Sequence, residues 1–387
     1  MSQQTAPKIA IVCDFLTMMG GAENVVLAMH EAFPQAPIYT AIYDEDRLPA
    51  FKGIDVRPSR LQKVPKSLRK SYKLFPTLAV NAMRDLDLSE FDIILTSSYL
   101  HGHQVTKTRP GQIVINYCHT PPRYYWSHYD LYRKDPGYGK LNPLVRLLMP
   151  LMVPRQRQLD LEAAERVDYF IANSTETAER IKKYYQKPST VLHPPVDIKR
   201  FTPAQKRGDH YVTLGRQLPN KRFDLAVEAC TKLGVPLKVF GNGPLHEKLE
   251  KLAGPTIEFY TDRFGNASDT EVEKALNTAK GFVFPSDEDF GIVAVEALAA
   301  GAPVIAYAAA GTRDIVQDTV SGVMFEHQTA DEVAAAIQKA DKMTFLPGTL
   351  ARKAKRFEKQ MFISKLQRIV AQEYAKTRNG DMKQVDL

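Results

Sequence analysis

Two acids and two bases in this chain have the types and spacing to close round one diphosphate. The acids are Glu288 and Glu296, with seven residues between them. Glu288 falls in the turn Pro285 to Gly291. Glu296 falls in the second turn of a helix expected from Ile292 and stopped by Gly301 and Pro303. A helix N-terminus presents unpaired N–H groups and partial positive charge, so Phe290, Gly291 and Ile292 would face a phosphate. Carboxylates accept hydrogen bonds from vicinal hydroxyls, Glu288 from a sugar on one side and Glu296 from a ribose on the other. Taken alone, the pair reads equally well as a solvated loop acid and a partly exposed helix residue. The bases are Arg216 and Lys221, in Gly215-Arg216-Gln217-Leu218-Pro219-Asn220-Lys221-Arg222-Phe223-Asp224 at the end of an expected strand. A planar fork and a point charge, five residues apart across a Pro-containing turn, can both reach one diphosphate. They would neutralise the charge that develops on a leaving nucleoside diphosphate. A solvated basic turn is the plainer alternative, and Arg222 could assist or replace Lys221.

Three further turns follow expected strands. Gly20-Gly21-Ala22-Glu23 opens a helix, and its glycines would let the backbone approach a ligand or would simply form a loop. Gly241-Asn242-Gly243-Pro244 lacks the third glycine of a dinucleotide fingerprint, since His246 stands there, so NAD binding is rejected. Tyr117-Cys118-His119-Thr120-Pro121-Pro122-Arg123-Tyr124-Tyr125-Trp126 sets His119 at a strand end. There it could donate to a sugar or help stabilise a transition state; a structural histidine is the common alternative. Trp126 could pack on sugar or lipid, and His101 is a second histidine of the same kind. Asp289-Phe290-Gly291 mimics a kinase triplet, but no kinase catalytic loop and no Walker motif accompany it.

Glu288-x7-Glu296, followed by Ala300-Gly301-Ala302-Pro303-Val304-Ile305, resembles the signature of family-4 retaining glycosyltransferases, which have the GT-B fold. The Gly20-Gly21-x-Glu23, Gly215-Arg216…Lys221 and Gly241-x-Gly243-Pro244 turns match the family too, so the resemblance spans nearly the entire chain. It implies that Glu288 holds sugar hydroxyls, Glu296 the ribose, and Arg216 and Lys221 the diphosphate. It places the amides of Gly20 and Gly21 by the same diphosphate and Gly241 and Gly243 near the nucleotide. No metal and no other cofactor is implied. Retention would come from front-face attack, with the leaving phosphate taking the acceptor's proton. The His119-Thr120-Pro121-Pro122-Arg123-Tyr124 stretch resembles a subgroup acting on lipid-linked O-antigen or exopolysaccharide precursors, commonly with GDP-mannose. A mannosyltransferase acting on a lipid-linked saccharide is therefore implied. A UDP-sugar enzyme of the same fold and a non-catalytic sugar-nucleotide-binding protein are the alternatives. Arg222-Phe223 departs from the glycine-containing turn common after the lysine.

The elements that would position these residues alternate. Strands are expected at Ile9 to Cys13, Pro37 to Ile42, Phe91 to Leu95, Ile113 to Tyr117, Val167 to Ala172 and Thr190 to His193. A second series runs from Tyr211 to Phe325, with helices such as Ala22 to Phe33, Asp224 to Leu233 and Lys355 to Ala375. Such alternation makes two doubly wound, Rossmann-like α/β domains, with ligands at the carboxyl ends of the strands facing a central cleft. The expected division is 1–195 for acceptor binding, 196–360 for the nucleotide sugar, and 361–387 as a C-terminal helix, packing back on the first domain, with a polar tail.

The balance of 52 Lys and Arg against 44 Asp and Glu gives a net charge of +8. No zinc-finger, RNA-recognition or homeodomain pattern is present, so nucleic acid is disfavoured as a partner. The cations instead interleave with apolar residues, from Arg57 to Phe75 and again from Leu144 to Arg157. Such segments suit an anionic bilayer surface, or else a solvated basic face over ordinary core. Three widely spaced cysteines, Cys13, Cys118 and Cys230, suggest neither disulfide nor zinc. With no signal peptide or transmembrane run read in the sequence, the expected location is cytoplasmic, peripheral on the inner face of the plasma membrane.

Overall fold

The computed structural model describes residues 6–65, 76–134, 139, 142–261 and 267–385, with side chains to 378. Seven basic-apolar positions of the first segment (Lys66, Leu68, Arg69, Lys70, Tyr72, Lys73 and Leu74), together with Phe75, lie outside the described residues.

The chain forms two compact units. One comprises Met1–His193 together with Phe362–Leu387, the other Pro194–Met361. In the first, strands β1 (Ile9–Cys13), β2 (Ile38–Thr40), β3 (Val56–Pro58), β4 (Ile93–Ser98), β5 (Ile113–Cys118), β6 (Tyr169–Ala172) and β7 (Ser189–Val191) make one sheet. Its order is β3-β2-β1-β4-β5-β6-β7, parallel throughout, with Ile9 opposite Ile93 and Cys13 opposite Ser97. In the second unit, β8 (Tyr211–Leu214), β9 (Leu237–Phe240), β10 (Ile257–Phe259), β11 (Gly281–Phe284), β12 (Val304–Tyr307) and β13 (Gly322–Phe325) run β10-β9-β8-β11-β12-β13, again parallel. The central strands are short, largely apolar runs buried on both faces, as a sheet covered by helices requires. Each sheet reverses its winding once, between β1 and β4 and between β8 and β11. In open α/β sheets, ligands bind beyond the strands' carboxyl ends at such switch points.

Among the departures from the sequence reading, three have a clear local reason. β3 was not expected: it is an edge strand of three residues with no buried side chain, so no apolar alternation marks it. Asn142–Arg166 is one helix although Pro150 and Pro154 lie inside it. Its second half is held by buried Val153, Gln156, Asp160, Ala163 and Ala164, which outweighs the lost backbone bonds. The expected helix from Lys355 to Ala375 is instead a 3-10 turn, Lys355–Phe357, followed by a helix, Lys359–Val385. At the break Val196 N–H donates to the Phe357 carbonyl at 2.9 Å, and Val196 bridges Glu358.

The terminal helix completes the first unit's core. Phe362, Ile363, Leu366 and Val370 are buried among residues of β1, β4 and β5. Phe362 meets the ring of Tyr117 edge-on at 5.6 Å, and the Tyr117 hydroxyl donates to the Leu192 carbonyl at 3.0 Å.

Candidate functional site

The second unit's switch point carries the acid and base of interest. Gly281 to Phe284 is wholly buried, and the chain leaves it at Pro285 into the acidic turn. The opposite strand, β8, ends in the Arg216 turn, whose last part is a 3-10 turn, Pro219–Lys221. Ser286 Oγ donates to the Lys221 carbonyl at 3.0 Å, tying the two turns together. Lys221 Nζ then meets Glu288 Oε1 in an ion pair, both side chains about one-fifth exposed. Gly291, at φ 102°, turns the chain into the helix Ile292–Ala299. Glycine is needed there because an L side chain rarely adopts that backbone. The Glu288 carbonyl accepts from Gly311 N–H at 3.0 Å, and a Cβ on Gly311 would lie 2.2 Å from Phe290 Cα. The turn is therefore seated on bare backbone. Phe290 faces inward, edge-on to Phe357 at 5.5 Å, so towards a ligand it can offer main chain only.

Arg216 is exposed at the head of its turn. Behind it, the Gly241 and Gly243 turn packs backbone on backbone: a Cβ on Gly241 would sit 2.0 Å from the Gly215 carbonyl oxygen. Gln217, fully buried, staples the two turns, its Nε2 donating to the Gly241 carbonyl at 2.7 Å and its Oε1 lying 2.9 Å from His246 Nδ1. Sequence reasoning missed Gln217, since a lone amide in a basic turn carries no signal. Arg222 is paired with Asp224 rather than with the Lys221–Glu288 contact. It takes a left-handed backbone, φ 50°, where glycine is the easy residue, and its guanidinium turns to Asp224 at 3.1 Å.

Glu296 does not join the Lys221–Glu288 contact. Its carboxylate lies 4.0 Å from Arg200 Nη1, and Arg200 is shared with Glu273 at 2.8 Å and Asp269 at 3.5 Å. Burial pushes the Glu296 carboxyl up to about 7; Arg200 opposes this, while Asp269, Asp197 and Glu273 add to it. The folded chain thus holds this proton above the usual 4.5. Its stability contribution is full at low pH and is lost as pH rises from about 4.5 through 7. Glu296→Gln, neutral at every pH, should flatten that decline in denaturant unfolding followed across this range. Parallel pH profiles for the two proteins would refute it.

In the first unit, the β1/β4 switch point is organised by Asp14, which sequence reading passed over. Its buried carboxylate accepts four main-chain N–H bonds, from Tyr99 (2.7 Å), Leu100 (3.2 Å), His101 and Gly102 (2.5 Å), and ties the end of β1 to the loop after β4. Gly20 and Gly21, both exposed, start the helix Gly21–Ala32, and Glu23 lies buried behind them with its carboxyl pushed up by desolvation to about 7. His119 follows β5. Its Nε2 lies 2.9 Å from Ser97 Oγ, its main-chain carbonyl accepts from Thr177 Oγ1 at 3.1 Å, and Tyr117 and Tyr99 flank its ring. His101, by contrast, is buried, and desolvation lowers it to about 3, so it stays neutral. Trp126 is committed inside this unit: it stacks on Tyr184 at 5.0 Å and donates to Asp160 at 2.7 Å. Among the described residues, no three His, Cys, Asp or Glu side chains gather to hold a metal ion.

The chain matches two family models, Glycosyltransferase Family 4 over residues 19–200 and Glycosyl transferases group 1 over residues 197–360. A D-inositol 3-phosphate glycosyltransferase from Geodermatophilus obscurus is 31% identical over 218 residues, covering 48% of each chain. An uncharacterized glycosyltransferase of Methanocaldococcus jannaschii is 29% identical over 148 residues, 38% of this chain and 42% of that one. The chain thus spans about half the length, or less, of these relatives. Among solved structures, sucrose-phosphate synthase from Thermosynechococcus elongatus superposes with a TM-score of 0.68 at 16% identity, over 95% of this chain and 100% of that one. Anabaena HepE, solved with UDP and glucose, gives 0.66 at 16% identity, with the same coverage. Together the two matches tile residues 19–360, a stretch similar to Glycosyltransferase Family 4 followed by one similar to Glycosyl transferases group 1, and the fold is GT-B.

Proposed function

We propose that the chain is a retaining glycosyltransferase that moves a sugar from a nucleoside diphosphate onto a lipid-linked saccharide. The donor is GDP-mannose and the setting is the cytoplasmic, anionic face of a membrane, in lipopolysaccharide or exopolysaccharide synthesis. The observation that carries the reading is the meeting of Lys221 and Glu288 at the β8/β11 switch point, beside the N-terminus of Ile292–Ala299. A diphosphate arriving there competes for Lys221, joined by Arg216 and by the amides at Gly291 and Ile292. Lifting Lys221 away leaves the Glu288 carboxylate to accept hydroxyls of the transferred sugar. As the sugar–phosphate bond breaks, negative charge builds on the leaving diphosphate, where both cations already stand. Gly20 and Gly21 would add main-chain donors, Gly241 and Gly243 would flank the nucleotide, and Glu296 would accept from the ribose. His119, oriented by Ser97, would donate to the sugar.

A UDP-sugar donor is the second reading, favoured by the relation to a neighbour solved with UDP and glucose. Calorimetry with GDP-mannose against UDP-glucose separates them. The first reading expects GDP-mannose to bind at least about tenfold tighter, a difference of ~1.4 kcal/mol. Turnover with polyprenyl-diphosphate oligosaccharides, with product anomericity read by NMR, tests transfer itself. Tight donor binding with no turnover on any acceptor would instead mark a sugar-nucleotide-binding protein.

A further inference from the structure

One face of the first half of the helix Asn142–Arg166 stands in solvent, while Val145 and Met149 on its other side are half-buried. Leu144, Leu147, Leu148, Leu151 and Met152 recur at the spacing that makes one helical face, the pattern that normally points into a core. Here the face is in solvent: Leu147 is 70% and Leu151 75% exposed, and no side chain from Asn142 to Met152 is buried. The buried positions further along, Val153, Gln156 and Asp160, lie on the opposite side of the helix. That second half is firmly held. Asp160 accepts from Trp126 at 2.7 Å and from Tyr185 at 2.9 Å, and its other oxygen lies 3.0 Å from His103 Nε2. Arg157 sits over the rings of Trp126 and Tyr129 and donates to the Tyr125 carbonyl. An apolar end on a fixed base calls for something to cover it.

Charge selects the occupant. Arg133, Lys134, Arg146 and Arg155 are exposed at this end of the helix, Arg155 on the leucine side and Arg146 on the other, where it donates to the Lys134 carbonyl, and between Asp135 and Asp160 the sequence has no acid. A second copy of the chain meeting this face about a two-fold axis would set these cations against their own kind with no carboxylate to pair them. An anionic lipid surface satisfies both features, taking the leucines among its acyl chains and the cations among its headgroups. No helix among the described residues is long and apolar enough to cross a membrane, so the segment would lie in the interface.

We propose that Leu144 to Met152 is the part of the chain that inserts into an anionic bilayer; this rests on the reading of a lipid-linked acceptor and names the element that reaches it. The test is flotation with phosphatidylglycerol-containing vesicles against pure phosphatidylcholine, using the full chain without donor. The protein should float with the anionic vesicles and detach as salt rises. Leu147→Gln with Leu151→Gln should lose at least about tenfold in partitioning, as removal of two inserted leucines requires. Arg146→Gln with Arg155→Gln should abolish the preference for anionic lipid. Wild-type protein left in solution, or leucine variants that float undiminished, would overturn the proposal. So would a wild-type dimer that the leucine changes dissolve while no flotation occurs. Donor calorimetry without vesicles is independent of this outcome, so failure to insert and failure as a sugar-nucleotide protein are told apart.

Discussion

Glu288→Ala is expected to lower turnover by at least ~100-fold while the fold persists, the size of effect that follows from losing contacts made chiefly in the transition state. The sign on donor binding is the sharper part of the expectation. In the free chain Lys221 is held on Glu288. Removing the carboxylate frees the ammonium for a diphosphate, so donor affinity should stay level or improve while kcat collapses. Lys221→Ala should do the reverse at the binding step and weaken the donor. Calorimetry for affinity and initial rates for kcat distinguish the two variants. Near-normal turnover in Glu288→Ala, or an equal loss of donor affinity in both, would count against the proposed division of roles.

Gly241→Ala should be among the most damaging single methyl groups in the second unit, since it meets both a strained backbone and a backbone clash. The residue sits at φ 107°, a backbone region that costs an L side chain about 1–3 kcal/mol. The added Cβ would also lie 2.0 Å from the Gly215 carbonyl oxygen. The neighbour is backbone, so relief means separating the β8 and β9 turns, at a further ~1–3 kcal/mol. A loss of roughly 2–6 kcal/mol is expected, read by denaturant unfolding, together with loss of donor binding, because Arg216 rides on the same turn. A variant of unchanged midpoint would show that the two turns are not locked together as described.

Much of this architecture could be read from residue patterns, and the failures have physical causes. Buried parallel strands such as Ile113–Cys118 and Gly281–Phe284 are short apolar runs bounded by turns, and they stand close to where the runs suggested. The edge strand Val56–Pro58 has no buried face to impose a pattern. Asn142–Arg166 hid behind two prolines that argue against helix when neighbours are unknown. At the candidate site, charged residues in strand-end turns announced themselves: Arg216, Lys221 and Glu288 by type, Gly291 by its place before a helix. What stayed hidden were partners at long sequence separation. Asp14 meets the loop after β4 more than eighty residues away, and Ser286 meets Lys221 sixty-five residues away. Nothing local marks such pairs. Arg222 shows the opposite case: its departure from a glycine-containing turn was visible in sequence, and the backbone there does take the left-handed form that glycine favours.

The return of the last helix to the first unit has a consequence for how the polypeptide must be made. Phe362, Ile363, Leu366 and Val370 cover a face of the amino-terminal sheet, yet they leave the ribosome only after all of Pro194–Met361. Domains usually fold in order of synthesis. Here the earlier one waits with the apolar surroundings of Tyr117 open until the helix that covers them emerges, while the later one can already close. A released chain truncated before Phe362 should therefore bind a chaperone through its older half, and one that extends past Val370 should not.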